Sequence, residues 1–165
     1  MIVVDYNQTA IGSFMAEARG RADVEPNLPL LRHMIVNTIR SYKKRWGDEF
    51  GDLVIACDNR KYWRRAIFPY YKAGRKASRE KSDHDWDYIF TLLAQIKNEI
   101  KTFLPYKVIE VETAEADDKI ATLIKKVNRM IIPEHQKKVL ILLVVQTLQN
   151  IKIHNTKNLQ KLILI

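Results

Sequence analysis

The chain is expected to fold as an α/β domain with an open, mostly parallel sheet and flanking helices, and three observations point there. Short Val/Ile-rich runs recur at Ile2–Val4, Leu53–Cys57, Val108–Val111 and Lys138–Ile141. The stretches between them carry helical periodicity, giving the order strand, helix, strand, basic segment, helix, strand, helix, strand. Each of the first three runs is also followed closely by carboxylates: Asp5, then Asp58, then Glu115 with Asp117. Parallel sheets bind ligands at the carboxyl ends of their strands, so these acids are expected to share one edge.

The elements follow in order. Ile2-Val3-Val4 opens the sheet. Asn27-Leu28-Pro29 introduces an amphipathic helix of about four turns, with Leu30, Leu31, Met34, Ile35, Ile39 and Tyr42 on one face and Pro29 suited to the first turn. Gly47 to Asp52 reads as turn chemistry before the Leu53–Cys57 strand. Ser82, with Asp85 three residues on, resembles a capping box and is expected to start the next helix, which buries Trp86, Ile89, Phe90, Leu93, Ile96, Ile100 and Phe103 and stops before Pro105. A third helix begins around Glu115 and runs through Ile120, Leu123, Ile124 and Val127, with Glu115 and Asp117 in its first turn and Asp118 turned about 100° away from Asp117.

Composition bounds the class. At 165 residues, 47% hydrophobic and 28% charged, the chain suits one compact globular domain. A net charge of +9 favours a polyanionic partner. Cys57 is the single cysteine, which excludes an intrachain disulfide and fits a reducing, cytoplasmic setting; its place in an apolar strand suggests a buried, inert thiol. Neither a signal peptide nor an apolar run long enough to span a membrane is apparent, so no membrane partner is expected.

Two concentrations of charge carry chemistry. Two carboxylates about 5 Å apart repel by about 3 kcal/mol at an effective dielectric near 20, so four together call for a cation. An all-oxygen donor set without Cys or His favours Mg²⁺ or Mn²⁺ over zinc. The bland alternative is that these acids are solvated strand ends or caps of the following helices. The second concentration lies between Arg60 and Lys81, where nine Lys and Arg residues face Glu80 alone and Tyr62, Trp63, Phe68, Tyr70 and Tyr71 are interleaved. Cations bind phosphates and aromatic faces stack on exposed bases, a mixture suited to single strands, frayed ends or junctions. Against it stands a solvated basic loop whose aromatics pack on the core. His84 among Asp83, Asp85 and Asp87 could be drawn as a metal cluster, yet acids opening a helix are favoured as caps.

Asp5-Tyr6-Asn7-Gln8, Cys57-Asp58-Asn59, Tyr62-Trp63-Arg64-Arg65, Tyr70-Tyr71-Lys72-Ala73-Gly74-Arg75, Asp85-Trp86-Asp87 and Glu115-Ala116-Asp117-Asp118, in this order and spacing, resemble the flap endonuclease (5′-nuclease) family over about residues 1–141. The resemblance implies a PIN-like catalytic domain portion with a basic arch at about residues 60–82. It also implies a metal-dependent nuclease that removes RNA primers or 5′ flaps during phage replication. By motif match Asp5, Asp58, Glu115 and Asp117 would hold the metal, Lys72 and Arg75 would contact the scissile phosphate, and Tyr71 would stack on the terminal base. Arg64, Arg65 and Lys76 complete the implied nucleic-acid contacts. Implied partners are branched or 5′-ended DNA or RNA–DNA hybrid, with replication proteins such as a single-strand-binding protein or sliding clamp.

The chain then departs from the family. Beyond the Lys138–Ile141 strand the family carries a D-x-D motif for a second metal; here Val145 and Thr147 stand in those places, and residues 135–165 contain no Asp or Glu. One metal is therefore expected to be held well, while a second lacks its acids, so that weak or absent catalysis is expected. Residues 142–165 are expected to be a divergent tail, arising either from a reading-frame change near Leu142, which translation of the other two frames would test, or from natural divergence to an amphipathic helix through Leu148, Ile151, Asn155, Leu159 and Leu162. Two alternatives stay open: a binding-only remnant without nuclease activity, and a phosphoacceptor signalling domain, the latter leaving the basic aromatic segment unexplained.

Overall fold

A computed structural model describes residues 1–18, 25–129 and 140–142. Four parallel strands, β1 (Ile2–Asp5), β2 (Leu53–Ala56), β3 (Lys107–Ile109) and β4 (Leu140–Leu142), form one sheet in the order β3-β2-β1-β4. Ile2 pairs with Leu53 and Asp5 with Ala56, which sets the ends of the two central strands level. The expected open parallel sheet is therefore present. The tail readings at 143–165, including Val145 and Thr147, lie outside the described residues.

Alternation along the central strands divides the core in two. Ile2, Val4, Leu53 and Ile55 face a large apolar cluster built with Phe14, Leu31, Ile35, Ile39, Ile89, Leu93, Ile96 and Ile100. This places α1 (Tyr6–Glu17), α2 (Leu28–Phe50) and α5 (Trp86–Phe103) on one face. Val3 and Ala56 face the opposite way, against Ala116 and Ile120 of α6 (Ala116–Arg129). Two short helices, α3 (Trp63–Ile67) and α4 (Ala73–Glu80), bury no residue; they form the basic segment.

Three boundaries differ from expectation. Helix α1 has no counterpart in the sequence reading, because its buried face mixes Thr9, Gly12 and Ser13 with Tyr6, Ala10 and Phe14 and so blurs the apolar pattern. The Thr9 hydroxyl donates to the Asp5 carbonyl and the Ser13 hydroxyl to the Thr9 carbonyl, which makes those buried positions tolerable. Helix α2 passes through Gly47 to Phe50, since Phe50 reaches the core; the turn is confined to Gly51, whose φ of 77° suits glycine. The cap of α5 is Asp85, whose carboxylate accepts from the Tyr88 amide. Ser82 instead donates to the Arg79 carbonyl and accepts from the Trp86 indole.

Candidate active site

Strand ends and one helix start bring the acids to a single edge. Asp5 closes β1 and caps α1, its Oδ1 accepting from the Gln8 amide at 3.0 Å. Asp58 lies two residues past β2; its Oδ1 accepts from the Ala116 amide at 2.6 Å and its Oδ2 from the Asn7 side-chain amide at 2.9 Å. Asp58 thus caps α6 from across the sheet and ties it to α1. Asp117, in the first turn of α6, lines a cavity of about 930 Å³ together with Asp5 and Asp58. Capping and convergence coexist here.

Burial raises the Asp5 carboxyl to about 6; the Gln8 amide opposes that rise, and the charges of Asp58 and Asp117 add to it.

Glu115, immediately before α6, has a different environment. It is 1% exposed, and donors from the basic segment fill both of its oxygens. Lys72 Nζ lies 2.5 Å from Oε1, while Arg64 Nη1 at 2.7 Å and the Tyr71 hydroxyl at 2.9 Å reach Oε2. Burial raises this carboxyl, but the Lys72 and Tyr71 hydrogen bonds and the charges of Lys72 and Arg64 outweigh it and hold the group below its ordinary range. Glu115 is therefore not in the lining of the cavity that Asp5, Asp58 and Asp117 share. Among the described residues, no three acids, His or Cys are drawn together tightly enough to grip a metal ion as they stand.

Asp118 turns away from the cavity that Asp117 lines, as its position on the helix suggested, and faces Arg64 and the start of α6. Its Oδ2 accepts from the Glu115 amide at 3.0 Å, the closing contact of a capping box. Both oxygens also receive the Arg64 guanidinium, at 2.9 and 2.6 Å, and the Trp63 indole approaches at 3.2 Å. Hydrogen bonding to Arg64 is the main cause that lowers this carboxyl to about 2. Glu115 and Asp118 together anchor α3 to the sheet edge.

The basic residues divide by position. Lys72, Arg75 and Arg65 line the acid cavity, and Arg65 lies 5.1 Å from the Tyr62 ring. Lys72 adopts a left-handed backbone, φ 57° and ψ 21°, at the start of α4, a conformation uncommon for a residue with a Cβ. The Tyr71 ring lies between Arg64 and Lys72 with its hydroxyl committed to Glu115. Lys76 is exposed and pairs with Glu80 at 3.7 Å, outside the cavity lining. His84 packs edge-on against Phe14 and Trp86.

Lys119 is a further site residue that the sequence reading missed. It is 6% exposed, and its ammonium donates to the carbonyls of Cys57 at 2.7 Å, Ala114 at 2.9 Å and Glu115 at 3.3 Å. One side chain thus holds the backbone beside Asp58 against the backbone beside Glu115. A detectable signal existed: Lys119 sits between the apolar positions Ala116 and Ile120 on the buried stripe of α6. Asp118 had one too, three residues after Glu115 in capping-box register.

An acid-edged parallel sheet with a cationic segment folded onto its acids is an arrangement of the 5′-nuclease type. The chain matches the 5′-3′ exonuclease N-terminal resolvase-like domain over residues 1–161, and it belongs to that family. The Ribonuclease H of Enterobacteria phage T4 is 35% identical over 127 residues, which take in 75% of this chain and 41% of that protein. The chain thus spans about two fifths of the length of this curated relative. Among the described residues no helix is long and apolar enough to cross a membrane.

Proposed function

We propose that this domain is a divalent-metal-dependent 5′ nuclease that acts on RNA primers or 5′ flaps during phage DNA replication in the host cytoplasm. The observation that carries it is the trio Asp5, Asp58 and Asp117 in one cavity with Lys72 and Arg75. Their carboxylate oxygens would supply hard donors of the kind that suits Mg²⁺ or Mn²⁺, drawn closer on binding than they stand in the unbound fold. The ion, when bound, neutralises phosphate charge and polarises the phosphoryl group. Asn7 and the Ala116 amide hold the Asp58 carboxylate in place, and the Gln8 amide does the same for Asp5. Arg75 and Lys72 draw the strand's phosphate into the cavity and stabilise charge on its non-bridging oxygens. Arg64, Arg65, Tyr71 and Lys76 extend the contact along the strand. Glu115 would offer Oε1 to the ion if Lys72 moved to a phosphate, with Arg64 and Tyr71 still on Oε2.

One observation favours a second reading, a domain that binds nucleic acid without cutting it: Glu115 has both oxygens occupied by arch donors. A 5′-labelled flap substrate separates the two. Product that needs Mg²⁺ or Mn²⁺ and is lost on Asp58→Asn supports the nuclease; steep salt-dependent binding with no product supports the second reading.

A further inference from the structure

We propose that Lys119 is a positioning residue for Asp58: through the Glu115–Ala116 peptide group, its buried ammonium fixes the carboxylate that would hold the divalent ion. The part played by the ion rests on the nuclease reading above. The position follows from where the sheet ends. Pairing of β2 with β3 stops at Ala56 opposite Ile109, and a last bond joins the Cys57 amide to the Ile109 carbonyl at 3.0 Å. Past that point one segment runs into Asp58 and the other into the loop before α6. The Cys57 carbonyl, the acceptor just before Asp58, meets the Lys119 ammonium at 2.7 Å in place of a further strand residue. The same ammonium reaches the Ala114 carbonyl at 2.9 Å, which also accepts from the Asn59 amide at 3.2 Å, and the Glu115 carbonyl at 3.3 Å. An ammonium has three donors, and here all go to backbone oxygens of the two segments that carry the acids.

The third of these contacts leads to Asp58. The peptide group whose oxygen belongs to Glu115 has Ala116 N–H as its amide, and that amide donates to Asp58 Oδ1 at 2.6 Å. One planar unit thus has a cation at its oxygen and a carboxylate at its nitrogen. Each contact polarises the unit in the sense that strengthens the other. With the Asn7 side-chain amide on Oδ2 at 2.9 Å, both Asp58 oxygens are held; a carboxylate offers about four acceptor sites, so room for an ion is left. A neutral donor would suffice for a fold contact, whereas an ammonium 6% exposed is costly to desolvate. Burial lowers the Lys119 pKa, and the charge of Asp58 is foremost among the influences that oppose it. The cation is therefore matched to the acid it positions as well as to the backbone.

The test uses the intact chain under conditions where circular dichroism shows each variant native. Lys119→Met should weaken Mn²⁺ binding, read from the electron paramagnetic resonance of free Mn²⁺, by about tenfold, the scale set by residues that orient a metal ligand. In EDTA it should speed hydrogen exchange of the Ala116 amide by about tenfold relative to Ile120 and Leu123 in the same helix. With Asp58→Ala already in place the acceptor is gone, so Lys119→Met should then add less than about twofold to that relative rate. Lys119→Gln, which keeps a donor without the charge, should fall between wild type and Lys119→Met in both readings, and it replaces the methionine variant if that one does not fold. Unaltered Mn²⁺ affinity in the folded variants, a relative Ala116 rate that does not move, or one that moves equally with and without the Asp58 carboxylate, overturns the proposal and leaves Lys119 a support of the fold alone. A wild-type chain that binds no Mn²⁺ defeats the metal-dependent nuclease reading instead, and Ala116 exchange then decides for or against Lys119.

Discussion

The five acids at the sheet edge fall into two groups, and Glu115 is the one that sequence spacing puts in the wrong group. Asp5, Asp58 and Asp117 open onto the cavity, and burial, with the charges of the other two adding to it, raises the Asp5 carboxyl to about 6. Glu115 and Asp118, interleaved with Asp117 in the same few residues, are neutralised by Arg64 and Lys72, and Asp118 falls to about 2. Identical functional groups at one sheet edge thus have opposite settings: one group lines the cavity, and the other fastens the basic segment to the sheet.

The largest expected effect separates these groups by activity. If the domain cleaves, Asp58→Asn should lower the metal-dependent rate on a flap substrate by about a thousandfold, the several kcal/mol that a lost metal carboxylate represents. Asp118→Asn should cost no more than about tenfold in the same assay. Equal losses would erase the distinction.

Next in size is the clamp between them. Lys119→Met leaves three carbonyls short of a donor and should destabilise the fold by about 2–4 kcal/mol in urea unfolding. A change below about 0.5 kcal/mol would mean that water replaces the ammonium.

The titrations should then run in opposite directions. The Asp5 carboxyl is raised in the folded state, so its ionisation disfavours folding: the penalty is absent below pH 4, grows between about 4 and 6, and is complete above 6. In EDTA at pH 8, Asp5→Asn should therefore stabilise the protein by about 1–3 kcal/mol, with the gain vanishing near pH 4. The Asp118 carboxyl is depressed, so its contribution is fully present above its unfolded value near 4 and is lost as pH falls through about 2. Because this ion pair is partly exposed, Asp118→Asn should cost only about 1 kcal/mol at pH 7. Thermal unfolding of both variants from pH 3 to 8 would show the two slopes or refute them.

The smallest effect belongs to the exposed pair Lys76–Glu80. Lys76→Ala should change stability by less than about 0.5 kcal/mol while reducing the salt dependence of nucleic-acid binding by about one phosphate contact.

Much of this framework was legible from residue patterns. Ile2-Val3-Val4 and Leu53–Ala56 read as strands because both faces of a parallel sheet are covered, and the acids after them fell at the edge that topology assigns to ligands. Helix α1 was not legible, since its buried Thr9 and Ser13 satisfy their hydroxyls internally and mimic a polar loop in sequence. The place of Glu115 among the acids was illegible for another reason. It depends on which carboxylates Arg64 and Lys72 reach across more than 40 residues, and local spacing does not encode that.

The Lys72–Glu115 contact has a consequence for engineering. An interior carboxylate whose counter-charges come from the overlying basic segment makes that segment part of the hydrophobic body's own solvation. Excising residues 60–82, or grafting in a shorter loop from a relative, would strip an acid of its partners inside the protein. Any chimera at this position has to exchange Glu115 together with the loop, and the two should be treated as a single heritable unit.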